Sequence, residues 1–322
     1  MRIFNIQNEE EFNHACLDAF KLQIQTVEVY GQFVRSLHKN PDEITHYSEI
    51  PFLPISFFKT HPIIEDVAFA DVIFSSSGTT GMQTSKHYVQ DVRLYEESYL
   101  KAFQHFYGLT EELCILALLP SYLEREGSSL IYMVDDLIKK SHHPKSGFFL
   151  HNHQDLFAIL QELKSQNQKT LLIGVTYALL DFTEQFPIHF PDLMVMETGG
   201  MKGKRKEMVR EELHETLCKG FGVEKIHSEY GMTELLSQAY SKGDGIFECP
   251  SWMKILIRDT NDPLSFLPEG RTGGINVIDL ANLHSCSFIA TQDLGKTYPD
   301  GTFEVLGRFD NSDIRGCNLM VE

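Results

Sequence analysis

The chain has 322 residues, 42% of them hydrophobic and 23% charged, an ordinary globular composition that excludes a disordered or collagen-like polymer. Its 45 acidic against 28 basic residues give a net charge of −17, which repels polyanions over the whole surface and argues against a nucleic-acid partner. No apolar run reaches membrane-spanning length, three glutamates fall within the first eleven residues, and the six cysteines lack C-x-x-C spacing, so a cytoplasmic protein with free thiols and no membrane span is expected.

Asn8 and Glu11 make a capping box ahead of an apolar series that runs from Phe12 to Leu37 at a mean spacing of about 3.6, which predicts one long amphipathic helix. The stretch 40–62, rich in proline and aromatics, predicts an irregular wrap into the first strand. Apolar runs at 71–74, 113–119, 171–175 and 193–196, separated by segments of helical period, predict parallel βαβ units. After about residue 245, short strands at 254–257, 275–280, 287–290 and 302–306 predict a smaller, mostly antiparallel or barrel-like lobe. Neither an internal repeat nor a low-complexity linker divides the chain, so one compact α/β unit is expected.

The run Phe74-Ser75-Ser76-Ser77-Gly78-Thr79-Thr80-Gly81 follows the first apolar run. Small residues let successive N–H groups converge on phosphate oxygens, and the hydroxyls add donors without a fixed charge. It is not a Walker A loop, since Gly78 and Gly81 are too close and no Gly-Lys-Ser/Thr follows. A solvent turn uses the same residue types, so partner segments must decide.

Four segments qualify. Glu197-Thr198-Gly199-Gly200 would let a flat ring approach the backbone. Ser228-Glu229-Tyr230-Gly231-Met232-Thr233-Glu234 offers an aromatic face, a hydroxyl and a carboxylate, suited to a base, a phosphate and a magnesium ion. Thr291-Gln292-Asp293-Leu294-Gly295 has a carboxylate able to accept two ribose hydroxyls, and Gly307-Arg308-Phe309-Asp310 lies near the end. Taken singly, Tyr230 and Glu234 read as a strand-to-helix junction and Asp293 as a turn.

The ordered set, from Ser75 to Asp310, resembles the core signatures of the adenylate-forming superfamily that includes acyl-CoA synthetases and luciferases. Leu119-Pro120-Ser121-Tyr122-Leu123-Glu124, Glu197-Thr198-Gly199-Gly200-Met201-Lys202-Gly203, Tyr230-Gly231-Met232-Thr233-Glu234-Leu235-Leu236-Ser237 and Arg315-Gly316-Cys317 are more specifically similar to the LuxE acyl-protein synthetases, nearly end to end. That resemblance implies the large-domain fold of adenylate-forming enzymes, with two doubly wound sheets and a β-rich lobe. It places an adenylation core at 1–306, the β-rich lobe at about 245–306 within it, and a tail at 307–322 carrying Cys317.

The implied activity is ATP- and Mg2+-dependent activation of a carboxylic acid, a long-chain fatty acid foremost, as acyl-AMP, followed by transfer to a protein cysteine. The resemblance implies that Ser76, Ser77, Gly78, Thr79, Thr80 and Gly81 hold phosphates and that Tyr230 stacks on adenine beside Gly199 and Gly200, with Gly231 next to it. Thr233 would meet the α-phosphate, Glu234 the magnesium, Asp293 and Arg308 the ribose, and Cys317 the acyl group. Partners so implied are the acid and an acyl-accepting reductase or transferase subunit. The acyl pocket is expected beside Gly174, Gly199 and Gly200.

Two departures stand out. Gln83-Thr84-Ser85 intervene before Lys86, which therefore receives no role, and the twelve residues after Asp310 cannot form the small domain that carries a lysine in acyl-CoA synthetases. A ligase with another acceptor, or a nucleotide- or acyl-binding subunit without turnover, are the alternatives. Near Cys317, Arg315 favours the thiolate. The other five cysteines read as structural, His142, His143, His151 and His153 as loop residues rather than metal ligands, and Lys202, Lys204, Arg205 and Lys206 as a solvated helix start or a docking point for an acidic partner.

Overall fold

The structure is a computed structural model that describes residues 3–76, 83–120, 127–199, 205 and 208–309. Asn8 caps α1 (Glu9–Thr26) by accepting from the Glu11 N–H at 2.9 Å, while the Glu11 carboxylate takes the Gln7 N–H at 3.0 Å. The single long helix expected over 12–37 is broken at Val27, which is extended at φ −101° and ψ 94°, and α2 (Glu28–Ser36) starts afresh. The break follows Thr26, whose hydroxyl returns to the Leu22 carbonyl, and falls on a β-branched residue that is wholly buried.

After β1 (Leu53–Pro54) and α3 (Phe57–Thr60), β2 (Val72–Ser75) and β3 (Lys86–Val89) form an antiparallel hairpin. The run 71–74 is thus not a parallel strand. Segment 76–85 is too short for a helical crossover, and alternation rather than full burial marks both strands.

The central βαβ reading stands. In chain order come α4 (Val92–Tyr107), β4 (Cys114–Leu118), α5 (Ser129–Ser141), β5 (Gly147–Phe148), α6 (His153–Ser165), β6 (Thr170–Gly174), α7 (Thr176–Gln185), β7 (Met194–Glu197), α8 (Arg210–Phe221) and β8 (His227–Tyr230). β5, β4, β6, β7 and β8 lie side by side, all parallel. β4 and β6 are buried at every position, as expected of strands covered on both faces.

The chain then turns antiparallel through β9 (Ala239–Ser241), β10 (Ile246–Glu248), β11 (Met253–Arg258), β12 (Gly273–Asp279), β13 (Phe288–Thr297) and β14 (Phe303–Arg308). The α/β class is as expected, but the two sheets and the lobe are joined. Because β8 pairs with β7 on one side and β9 on the other, twelve strands among the described residues share one hydrogen-bonded sheet, β1 joining it beside β13.

Candidate functional site

β7 and β8 end side by side, with Glu197 opposite Ser228, at the carboxyl ends of the parallel strands where open α/β sheets bind ligands. Gly199, at φ +78°, turns the chain away from β7, a conformation that disfavours a side chain. Its N–H is held by the Glu197 carboxylate at 2.6 Å, which also accepts from the Thr176 hydroxyl at 3.2 Å. Burial opposes ionisation of Glu197, yet the donated bonds, His214 at 4.0 Å and the charge of Arg210 hold its pKa below the ordinary value. Gly174 is closely packed, since an added Cβ would stand 2.9 Å from the Leu118 Cβ, whereas a Cβ at Gly199 would meet nothing within 4 Å.

Tyr230, Asp293 and Arg308 come together across the antiparallel half. A register shift between Leu294 and Gly295 sets Asp293 opposite Arg308, and their side chains meet at 3.0 Å. Tyr230 donates to the other Asp293 oxygen at 2.9 Å, and burial, reinforced by that carboxylate, keeps its hydroxyl protonated. Phe247 and Phe303 contact the Tyr230 ring edge-on at 6.0 and 5.6 Å. Asp293 is further fixed through Thr291, which accepts its N–H, and Arg258 holds the Thr291 carbonyl at 2.6 Å. Arg308 is 77% exposed, whereas its partner Asp293 is buried.

Thr233 and Glu234 lie where the β2–β3 hairpin meets this half. Ser76, the described residue of the predicted phosphate-loop set, pairs with Ser85 through its hydroxyl at 2.9 Å and its N–H at 3.1 Å. Ser85 in turn hydrogen-bonds the Glu234 carboxyl. Burial pushes the Glu234 pKa up, and that hydrogen bond and the charges of Arg308 and Lys59 act against it. One buried carboxyl with nearby hydroxyls fits magnesium, which is usually held by one or two carboxylates plus substrate phosphates. Lys86 is exposed. Ser77, Gly78, Thr79, Thr80, Gly81, Gly200 and Cys317 lie outside the described residues.

The sequence matches the acyl-protein synthetase, LuxE, family over residues 3–322. The chain belongs to that family. Its fold is similar to 2-hydroxyisobutyryl-CoA ligase in an open conformation in complex with 2-HIB-AMP and CoA, with a TM-score of 0.67 at 10% identity over 94% of this chain and 70% of the ligase. The postadenylation state of that ligase with R3-HIB-AMP gives 0.69 at 10% identity, over 94% and 68%. ATP-bound MatB from Rhodopseudomonas palustris gives 0.54 at 17% identity, over 73% and 47%. At these identities the likeness establishes the fold of adenylate-forming ligases, and a comparison with curated proteins finds no match.

In this acyl-protein synthetase family member, several buried polar residues escaped the sequence reading. Asp279 accepts from the N–H groups of Leu236 at 2.7 Å, Ser237 at 3.0 Å and Ala281 at 3.1 Å, all while fully buried. His87 and Asn282 reach the Thr233–Glu234 backbone from another side. Glu229, half-buried beside Tyr230, has its pKa pushed up to about 8 by burial and then by Glu197. The signal available was modest: polar residues within or just after apolar strands. Arg205 of the basic cluster is bound to Asp181 and Glu184. His142 ends α5 in the left-handed conformation, and His143 accepts the Lys145 N–H at 3.2 Å.

Proposed function

We propose that the protein activates a carboxylic acid, with a long-chain fatty acid as the favoured substrate, as acyl-AMP from MgATP and passes the acyl group to Cys317. The observation that carries this reading is the convergence of Tyr230, Asp293, Arg308, Glu234 and the Ser76–Ser85 pair at one end of the sheet in a member of the acyl-protein synthetase family. Residues 1–306 serve as the adenylation core, with 307–322 as a tail bearing the acceptor.

In this reading Asp293 receives the ribose hydroxyls. Both its oxygens already carry a partner, but a carboxylate has about four lone-pair sites, and exposed Arg308 can shift to share them. Thr233 donates to the α-phosphate, and Ser76 with 77–81 holds the remaining phosphates. Glu234 would hold a magnesium ion, which when bound would supply charge stabilisation at the phosphates and favour the ionised carboxylate. Alignment and fixed donors then carry most of the rate.

The thiols support Cys317 as acceptor. Burial raises the pKa of Cys16, Cys114, Cys218, Cys249 and Cys286 alike, with Cys114 at about 11 and Cys286 at about 12, so none is poised as a thiolate at neutral pH. These thiols are all free, which favours the cytoplasm, and among the described residues no helix is long and apolar enough to cross a membrane. An acyl-accepting reductase or transferase subunit is the fitting partner.

The test is acid-dependent pyrophosphate release over a panel of carboxylic acids, with labelled acid followed into protein. Label should be removed by hydroxylamine and absent in Cys317→Ser, with the first-turnover pyrophosphate retained. Label retained in that variant identifies another acceptor, and no pyrophosphate with any acid reduces the protein to a nucleotide- or acyl-binding subunit.

A further inference from the structure

The segment that carries Thr233 and Glu234 has no regular secondary structure, yet its two carbonyls are gripped. His87, on β3, places Nδ1 2.9 Å from the Thr233 carbonyl oxygen and Nε2 3.0 Å from the Asn282 side-chain oxygen. Asn282 gives its Nδ2 to the Glu234 carbonyl at 2.8 Å. Both side chains are buried, 0% and 1% exposed, where an unmade hydrogen bond costs more than a surface one. Asn282 is itself braced from behind, since its carbonyl, that of Leu283 and the Ser287 hydroxyl all accept from Gln23 of α1 at 2.9–3.0 Å.

We propose that His87 and Asn282 are positioning residues that aim the Thr233 hydroxyl and the Glu234 carboxylate, locking the segment to the strand that leaves the phosphate loop. The inference rests on the proposed adenylation for its kinetic consequence, but the clamp is a property of the unliganded fold. His87 joins the loop to the segment directly: β3 begins one residue after Ser85, the partner of both Ser76 and Glu234. Any tilt of β3 therefore reaches both sets of phosphate-facing groups at once. Phe58 closes the ring in edge-on at 5.6 Å, and burial lowers the His87 pKa to about 4, so the ring is neutral in use. A neutral ring has one N–H for two facing acceptors, and turning the Asn282 amide would set its oxygen against the Glu234 carbonyl. The clamp is thus one donor short, and an uncharged side chain at 87 that keeps an N–H toward the Thr233 carbonyl preserves the grip on that carbonyl.

The test compares His87→Leu, His87→Gln and Asn282→Ala, with folding checked by thermal melting. For acid-dependent ATP–pyrophosphate exchange, His87→Leu is expected to lower kcat about 30-fold with KM for ATP changed less than threefold, because the adenine and ribose contacts proposed at Tyr230 and Asp293 are not touched by the clamp. His87→Gln should recover to within about fivefold of wild type. Amide hydrogen exchange at 233–237 should quicken in Asn282→Ala. A folded His87→Leu with kcat within twofold of wild type, or a Gln variant no better than Leu, overturns the positioning role. If the Leu variant does not fold, Asn282→Leu, of similar size and without either the Nδ2 donor or the Oδ1 acceptor, is held to the same kcat and KM criteria. Wild-type protein inactive with every acid sinks the proposed function instead, and the clamp then stands or falls on whether Asn282→Ala changes exchange at 233–237.

Discussion

In the parallel half of the sheet, β4 and β6 bury every residue and all but Thr170 and Gly174 are apolar or sulfur-bearing; in the antiparallel half, β12 and β13 bury Asn276, Asp279, Thr291 and Asp293 among their apolar neighbours. The first half is held by area removed from water, which is non-directional and tolerant of chemistry at its edges. The second spends buried polar groups on direction: Asp279 and Asn282 fix the Met232-to-Ser237 segment, and Arg258 and Thr291 fix Asp293. A site at the seam between them takes its scaffold from one side and its aim from the other.

That contrast can be broken by substitution. The largest separation is expected from Thr233→Val, nearly isosteric with the native residue: kcat for pyrophosphate exchange should fall about 100-fold with melting temperature unmoved. Leu172→Ala, at a fully buried position of β6, should do the reverse, costing about 3 kcal/mol in denaturant unfolding while kcat per folded molecule stays unchanged. Tyr230→Phe should show both effects in smaller measure. Losing the donor to buried Asp293 should cost about 2 kcal/mol of stability and weaken ATP binding by calorimetry.

The smallest effect is on pH dependence. A carboxyl held near 8 in the folded chain and at its ordinary 4.5 when unfolded, as at Glu229, adds stability that is full below pH 4.5 and lost as pH rises through 8. His87 and His227, both lowered to about 4 from 6.5 chiefly by burial, act oppositely: their contribution is full above 6.5 and lost as pH falls through 4. Glu229→Gln should therefore flatten the alkaline arm of a stability profile and leave the acid arm in place.

The scaffold was legible because a strand covered on both faces must read as an unbroken apolar run, as at 113–119 and 171–175, and because the strands after about residue 245 are short runs separated by Gly, Pro, Asn and Asp. β2 was misassigned because its run of apolar residues is short and its partner lies just beyond the serine-rich loop. The motif residues Tyr230, Asp293 and Arg308 could be picked out by type and order, and their contacts join them. The clamp could not: His87 and Asn282 stand 195 positions apart, and each alone looks like any polar residue beside a strand. Only the fold makes them neighbours.

The most direct test of the seam as an adenylate site is calorimetry with a long-chain acyl sulfamoyl adenosine, which keeps the shape of the mixed anhydride but cannot transfer its acyl group. Binding at least about 100-fold tighter than AMP, with most of that gain lost in Thr233→Val, is the expected result. Binding no tighter than AMP, or equally tight in Thr233→Val and Asp293→Ala, would contradict the assignment of the site and of the reaction.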